Sequence, residues 1–319
     1  MENKGYIVVI GAANIDIGGT PYKPLIPGDS NPGVIKMSYG GVGRNIAHNL
    51  AMLGADVKLV TAAGDDVLGK EMLEKCRSVG MDTDYSVVVP GASSSVYLFI
   101  NDESGEMDLA LSHVDIVKCI TPGYIESISD MINGAEAVIA DCNLSQETLY
   151  KIIDICKVPL YVDTVSVSHA DKIKGHLEGI DTLKPNLLEA EYLTDMIIEN
   201  EYDCLEAAKA MIDQGVRRVF ISLGPHGVIA ADRHHAIRVD RYPAEVKCTT
   251  GAGDSAMAAI IWYSVTEGSD RLTIPAMAAN AAASATIEVD PTIHPEMSSS
   301  LIEGIMKEKE VNIKELKEI

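Results

Sequence analysis

No apolar run in this chain reaches the ~20 residues needed to cross a bilayer, so no membrane partner is expected. The N-terminus also lacks a basic region followed by a long apolar segment, which speaks against a signal peptide. Cys-x-x-Cys pairs are missing too. Six cysteines (Cys76, Cys119, Cys142, Cys156, Cys204 and Cys248) stand singly. That pattern suggests neither a zinc site nor a disulfide framework, and it suits a reducing, cytoplasmic location. Positive charge is scarce: 26 Lys and Arg face 47 Asp and Glu, a formal net charge of −21. Such a balance argues against a nucleic-acid polymer as partner. It also means that a bound phosphate needs local help, from a helix end, a lysine or arginine, or a divalent cation. Low-complexity tracts and internal repeats are absent. What remains is 319 residues of ordinary globular composition, enough for one large α/β domain, with or without a small appendage.

The chain is organised around Thr249-Thr250-Gly251-Ala252-Gly253-Asp254. An apolar, Ala-rich run from Ala256 to Ser264 follows and reads as a helix. The two glycines let the backbone come close to a ligand. The first turn of a helix has unpaired N–H groups and the positive end of the helix dipole, which together form an anion site suited to phosphate. An aspartate there would repel a phosphate held for binding alone. It makes sense beside a neutral hydroxyl, with the dipole keeping Asp254 ionised to accept a proton from an attacking alcohol. The plain alternative is a Gly-rich turn before a core helix, with Asp254 as a helix-start residue.

In chain order, Tyr6 to Ile10 reads as a buried strand. It runs into Gly11-Ala12-Ala13-Asn14-Ile15-Asp16, where Asn14 and Asp16 are candidates to grip a polar substrate; a plain turn fits equally well. Val34 to Tyr39 is a possible strand. Gly40-Gly41-Val42-Gly43 opens a helix to about Leu53, with Arg44 and Asn45 in its first turn. Gly64-Asp65-Asp66-Val67-Leu68-Gly69-Lys70-Glu71 approaches a P-loop, but Glu71 stands where Ser or Thr should hold magnesium, so we reject it. Ser95 to Ile100 and Glu106 to Ser112 read as a hairpin around Asn101-Asp102-Glu103-Ser104-Gly105. With Val34 to Tyr39 it can form a separate sheet that acts as a lid, or else an antiparallel edge of the main sheet.

From Ala135 on, strands and helices alternate, which implies a parallel sheet with right-handed crossovers. Asp16, Asp141, Asp163, Asn186 and Gly224 each follow a strand and should cluster along one edge. Asn186 and Glu189 are spaced i, i+3. That spacing suits a magnesium site, and it suits a capping arrangement better. Ser222-Leu223-Gly224-Pro225-His226-Gly227 is a tight turn that can admit a nucleotide or simply join two strands. Leu272 to Ile287 reads as an Ala-rich helix whose only amide, Asn280, can reach a ligand. The tail from Lys307 alternates acids and lysines and is expected to be a solvated terminal helix.

Together, Gly40-Gly41, Gly64-Asp65-Asp66 with Gly69, Asn186-x-x-Glu189, Ser222-x-Gly224-x-x-Gly227 and Gly251-Ala252-Gly253-Asp254 occur in an order that resembles the ribokinase-like (PfkB) family of sugar and nucleoside kinases. The resemblance runs from about Val8 to Glu288. It implies an α/β fold: a ribokinase-like three-layer sandwich with a mainly parallel central sheet and a small β-sheet lid. One kinase domain over residues 1–319 is expected, with lid strands within about 18–40 and 95–112. The resemblance further implies ATP- and Mg2+-dependent phosphorylation of a hydroxymethyl group.

Within the family, three segments are most like members that act on the 5′-hydroxyl of pseudouridine. They are Gly40-Gly41-Val42-Gly43-Arg44-Asn45-Ile46-Ala47, Ala140-Asp141-Cys142-Asn143-Leu144-Ser145 and Thr182-Leu183-Lys184-Pro185-Asn186-Leu187-Leu188-Glu189-Ala190-Glu191. By that likeness Asp254 is the base, and the backbone of Gly251, Ala252 and Gly253 is the anion hole. Asp16, Gly41 and Asn45 would hold the ribose, with Asn14, Gly40, Asp141 and Asn143 as further candidates to bind the substrate. Ser222, Gly224, Gly227, Thr250 and Asn280 would lie along the nucleotide, and Asn186 and Glu189 would serve the magnesium–phosphate region. The family usually has Asp-Thr where Cys248-Thr249 stands here. That aspartate belongs to a loop binding a monovalent cation, so the cysteine puts potassium (K+) activation in doubt. Thr164 after Asp163 also departs from the family's Asp-Pro. The expected partners are a small-molecule nucleoside and ATP, and a lid that exposes one sheet face implies a homodimer through the lid. Two alternatives stand: a kinase of another nucleoside, or of ribose or a related sugar, and a non-catalytic nucleoside-binding sensor. A sensor would have no need of a base at Asp254.

Overall fold

The computed structural model describes residues 5–104, 106–266 and 272–316. Its central sheet begins with β1 (Tyr6–Ile10), β4 (Asp56–Val60), β6 (Met81–Asp82), β10 (Ala137–Asp141) and β11 (Leu160–Asp163). It continues with β12 (Thr182–Leu183), β13 (Arg218–Ser222), β14 (Val228–Asp232), β15 (Ala236–Val239) and β16 (Ile313–Leu316). The order across the sheet is β16-β15-β14-β13-β12-β11-β10-β1-β4-β6. Every pairing from β6 to β13 is parallel, and β14, β15 and β16 close the other edge antiparallel. A strand buried on both faces needs a continuous apolar run, as Tyr-Ile-Val-Val-Ile in β1 provides.

The helices are α1 (Val42–Leu53), α2 (Val67–Ser78), α3 (Pro122–Ser127), α4 (Ser129–Asn133), α5 (Gln146–Ile155) and α6 (Val167–Ala170). They continue with α7 (Leu187–Thr194), α8 (Glu201–Asp213), α9 (Ala252–Thr266), α10 (Thr273–Ile287) and α11 (Ser299–Glu308). Successive strand residues point to opposite faces, and this builds the three layers. Val8, Ile10, Val138 and Ala140 pack with Ile132, Leu149, Ala190 and Met211 on one side. Ile7, Val9, Ala137 and Ile139 pack with Ile46, Leu50, Met257, Ala279 and Ile302 on the other. The motif that approached a P-loop is a helix start: Asp66 caps α2 by accepting from Gly69 N at 2.8 Å.

The smaller sheet has the order β3-β2-β8-β9. Its strands are β2 (Asn14–Pro21), β3 (Gly33–Gly40), β8 (Val96–Asn101) and β9 (Met107–His113). Asn14 and Asp16, expected in a turn, belong to β2, and the loop after β1 is only Gly11 to Ala13. In the turn between β8 and β9, Asp102 Oδ1 accepts from Ser104 N and Glu106 N; Gly105 lies outside the described residues. A two-stranded parallel pairing, β5 (Ala62–Gly64) with β7 (Val87–Val89), lies between the two sheets in sequence.

The expected terminal helix beyond Lys307 is not formed. α11 ends at Glu308, and Ile313–Leu316 returns as β16 along β15. Alternating charges look alike on a helix surface and on an edge strand. Here the open edge of β15 offers unpaired backbone groups, and Lys314 forms an ion pair with Glu201, which also binds Arg238. Residues 317–319 lie outside the described residues.

Candidate active site

Two Gly-rich helix starts meet at the carboxyl end of the sheet. Gly41, with φ 95°, turns the chain into α1, and a Cβ there would overlap the Ala12 carbonyl oxygen. Gly251, with φ 84°, turns it into α9, and a Cβ there would overlap the Thr292 carbonyl oxygen. Both positions therefore require glycine. At their first turns the two helices are joined by a polar contact: Asn45 Nδ2 donates to Asp254 Oδ2 at 2.8 Å. Buried Arg44 fixes the Asn45 amide, donating from Nη1 to Asn45 Oδ1 at 3.1 Å and to Tyr39 O at 2.9 Å.

The electrostatics differ from the expectation of a dipole-ionised Asp254. Burial, followed by the charge of Asp163, raises its pKa to about 7, against the Asn45 hydrogen bond and Lys184. Asp141 raises it further. A carboxylate that titrates near neutral pH is well matched to accept a proton from an alcohol at that pH.

Asp141 and Asp163 end neighbouring parallel strands and lie in register. Asp141 is fully buried, and its carboxylate accepts from Ala12 N at 2.9 Å, Gly43 N at 2.7 Å and Asn143 N at 2.9 Å. This corrects the reading of Asp141 as a group that grips the nucleoside. It braces the loops after β1 and β10 and the first turn of α1, taking up amides that have no ladder or helix partner. Asn143 lies on a loop pinned by Lys172, whose Nζ donates to the carbonyls of Cys142, Asn143 and Leu144 at 2.7, 3.3 and 2.9 Å.

A cavity of about 490 Å3 opens on the other side of Asp254. Ala252, Gly253, Asn186, Glu189, Ser222, Gly224, Gly227 and Asn280 line it, with Val246, Ala283 and Ile287 as an apolar wall. Its size and mixed lining suit a ligand of nucleotide dimensions. Gly227, at φ 91°, passes so close to Val239 O that no Cβ fits. Asn280 is partly committed: its Nδ2 donates to Val239 O at 3.0 Å. Thr250 is exposed in the turn before α9 and is not among the lining residues, whereas its neighbour Thr249 is.

On the other side, at the base of the smaller sheet, Asn14 Nδ2 donates to Asp16 Oδ1 at 2.5 Å. A Cβ on Gly40 would overlap the Asp16 carboxylate. Burial raises the Asp16 pKa to about 6, opposed by Asn14 and Arg44. Asn14, Asp16, Gly40, Gly41 and Asn45 thus form one group, tied to the cavity through Asn45 and Asp254.

Asn186 and Glu189 adopt the capping arrangement in full. Asn186 Oδ1 accepts from Glu189 N at 2.9 Å, and Glu189 Oε2 accepts from Asn186 N at 2.8 Å. Thr164 Oγ1 donates to the same Oε2 at 2.5 Å, and Asn186 Nδ2 donates to Oε1 at 2.7 Å. The hydroxyl that replaces the family's proline therefore has a partner. Glu189 Oε2 thus accepts two hydrogen bonds and Oε1 one. Among the described residues no group of three or more His, Cys, Asp or Glu is placed to hold an ion.

Reading the sequence missed Lys184. It is buried and its Nζ lies 3.1 Å from Asp163 Oδ2, on the floor of the same cavity. The signal was there: a lysine directly after the buried strand Thr182–Leu183. Among the described residues no helix is long and apolar enough to cross a membrane.

The model of the pfkB family of carbohydrate kinases matches residues 4–298. The chain is 39% identical over 265 residues to the pseudouridine kinase of Escherichia coli K12, covering 82% of this chain and 84% of that one. It is 28% identical over 260 residues to the guanosine-inosine kinase of Exiguobacterium acetylicum, covering 80% and 86%. A sugar kinase structure from Clostridium perfringens superposes with a TM-score of 0.89 at 28% identity, over 99% of each chain. Matched by the family model over nearly its whole length and 39% identical to a kinase over 82% of it, the chain belongs to the pfkB family of carbohydrate kinases.

Proposed function

We propose that this chain transfers the γ-phosphoryl group of ATP to the 5′-hydroxyl of pseudouridine, as one kinase unit with the smaller sheet as its lid. The observation that carries the reaction is the placement of Asp254 between two spaces: the cavity in front of α9 and the polar group at the base of the lid. The acceptor is supported by the likeness to a pseudouridine kinase at 39% identity. The nucleoside lies against Asn14, Asp16 and Asn45, and the nucleotide against Ser222, Gly224 and Gly227. The hydroxyl gives its proton to Asp254 as its oxygen bonds to the γ-phosphorus. The bond from that phosphorus to the β,γ-bridging oxygen breaks, and ADP leaves. The first-turn N–H groups of α9 meet the charge on the moving group, which is most of what phosphoryl transfer requires. Magnesium bound with ATP supplies further neutralisation of the phosphates.

The test is ADP release with ATP and magnesium, across pseudouridine, uridine, cytidine, adenosine, guanosine and ribose, with and without potassium. The highest kcat/KM is expected for pseudouridine. Preference for guanosine, the reading favoured by the 28% likeness to a guanosine-inosine kinase, overturns the acceptor and keeps the kinase. Nucleoside binding without turnover of any acceptor favours the sensor reading.

The lid also supports a homodimer. By register, Ile35, Met37, Leu98, Leu109 and Leu111 share one face. Ile35 is 77% exposed and Leu111 64%. The near end of that face, Ile15 and Ile17, packs on Met72 and Leu73 of α2, while the far end is uncovered. A second copy of the same sheet is self-complementary to it. Sedimentation of the full chain should give a dimer, and Leu111→Arg should give a folded monomer. A monomeric wild type at all concentrations rejects the interface.

A further inference from the structure

Arg44 is a charged residue that is only 4% exposed and does not line the cavity. It stands in the first turn of α1, and its side chain donates to neutral acceptors. Nη1 donates to Tyr39 O at 2.9 Å and to Asn45 Oδ1 at 3.1 Å, and Nη2 donates to His48 Nδ1 at 3.0 Å. Burial, then the charges of Arg44 and Lys75, lower the His48 pKa to about 4, so its imidazole is neutral and Nδ1 accepts. Burying a guanidinium among neutral groups is costly, and an apolar side chain of similar volume would pack there more favourably. Packing alone therefore does not account for an arginine.

Its donors do. A guanidinium has no acceptor, and an ionised carboxylate has no donor. Asn45 lies between the two: its Oδ1 faces Arg44, and its Nδ2 donates to Asp254 Oδ2 at 2.8 Å. Only this orientation of the amide satisfies both neighbours. The reverse would set Nδ2 against the Arg44 N–H groups and Oδ1 against the Asp254 oxygens. Without Arg44 the amide would be free to reverse whenever Asp254 carries a proton. Oδ1 would then accept from the Asp254 hydroxyl and stabilise the form that cannot act as a base. Asn49 steadies the same turn, its Nδ2 donating to Asn45 O at 2.9 Å. The bond to Tyr39 O, at the end of β3, carries the chain of contacts on to the smaller sheet.

We propose that Arg44 is a positioning residue of the phosphoryl transfer: by donating to Asn45 Oδ1 it locks the amide with Nδ2 on Asp254 Oδ2, and so leaves the other oxygen of the base for the alcohol. The inference rests on the kinase reading, not on pseudouridine as the acceptor. Arg44 touches no reacting atom and keeps its proton throughout.

The experiment uses the full chain and whichever acceptor the wild type turns over best. Near neutral pH, Arg44→Met should lower kcat by about 10- to 100-fold, the worth of one hydrogen bond to a charged group, with KM for ATP within a few-fold. Its melting temperature should be kept or raised, since a buried charge is gone. Burial, Asp163 and Asp141 raise the Asp254 pKa, and Asn45 and Lys184 lower it. Loss of the Asn45 bond should therefore move the acid limb of kcat/KM to higher pH. Carboxyl-carbon NMR should show the same upward shift for Asp254, its resonance assigned by its loss in Asp254→Asn. Asn45→Ala tests whether Arg44 acts through the amide: the double variant with Arg44→Met should be no slower than Asn45→Ala alone. Arg44→Lys keeps the charge but spans fewer of the acceptors, and should give an intermediate rate. It replaces Arg44→Met in every comparison if that variant does not fold. Losses that multiply in the double variant, or an unmoved limb, overturn the assignment. A wild type that phosphorylates no acceptor, with the Asp254 titration still shifted in the variant, counts against the kinase reading alone.

Discussion

Asp254→Asn should lower kcat by about 10³-fold or more, within the range a positioned base contributes, and leave the nucleoside KM within a few-fold. The substitution is close to isosteric, and the new amide oxygen can still accept from Asn45 Nδ2, which now donates to Asp254 Oδ2 at 2.8 Å. What it cannot do is take the alcohol's proton. The wild type should show a kcat/KM that rises with pH through about 7, where Asp254 ionises, and then levels. The residual rate of the variant should lack that limb. Unchanged turnover rejects Asp254 as the base.

The same variant should be the more stable protein. The folded-state pKa of about 7 lies above the ordinary 3.8, so the folded form binds the proton more tightly than the unfolded one. The stability this provides is full below about pH 4 and is lost as pH rises through 7. At pH 8 the ionised carboxylate is a cost that asparagine does not carry, on the order of 1–2 kcal/mol after allowing for its opening to the cavity. The melting temperature of Asp254→Asn should exceed the wild type's at pH 8, and the difference should shrink toward pH 4. A variant that melts lower at pH 8 contradicts the burial argument.

Gly251→Ala should have the second large effect. The left-handed backbone costs a residue with a Cβ about 1–2 kcal/mol, and here the Cβ also overlaps the Thr292 carbonyl oxygen. That atom belongs to the backbone, so the first turn of α9 must move, and the anion hole moves with it. Loss of aligned donors costs about 10²–10³-fold in kcat. Asn14 and Asp16 are untouched, so the nucleoside KM should change little. Gly253→Ala is the contrast. Its Cβ would find Lys184 Nζ at 3.6 Å, an ordinary contact, and its φ lies outside the left-handed region. Its kcat should fall far less. Steady-state kinetics and thermal unfolding of the two variants check this, and equal losses in both would reject the backbone argument.

These two positions were legible before any coordinates, and the reason is locality. Thr249 to Asp254 places two glycines, an acid and an apolar helix in one short stretch, so its geometry is set by its own residues. The parallel strands announce themselves in the same way, as apolar runs ending in Asp141 and Asp163. What the chain did not disclose depends on partners far off in sequence. The job of Asp141 is set by Ala12 N and Gly43 N, and that of Thr164 by Glu189. The spacing of Asn186 and Glu189 favours a cap over an ion site, and the cap forms in full. The position of Lys184 after a buried strand is a local signal, but its acidic surroundings are set by Asp163 and Asp254, far off in sequence. Ile313–Leu316 looks helical because nothing in those residues records the free edge of β15.

The pairing of the lid has a consequence for how the protein assembles. β2 leaves the core beside β1, but its partner β8 comes much later: Ile15 waits for Val96. Between them the chain must lay down α1, β4 and α2. Long-range pairings of this kind form slowly, because closing the loop precedes any gain from contact. The lid also buries little once formed, since β3 and β9 are exposed along most of their length. In a single chain it is therefore expected to order late and to loosen at free energies below those that unfold the core. With the smaller sheet as the lid proposed above, admitting a nucleoside and taking the first step of unfolding would draw on the same weak contacts.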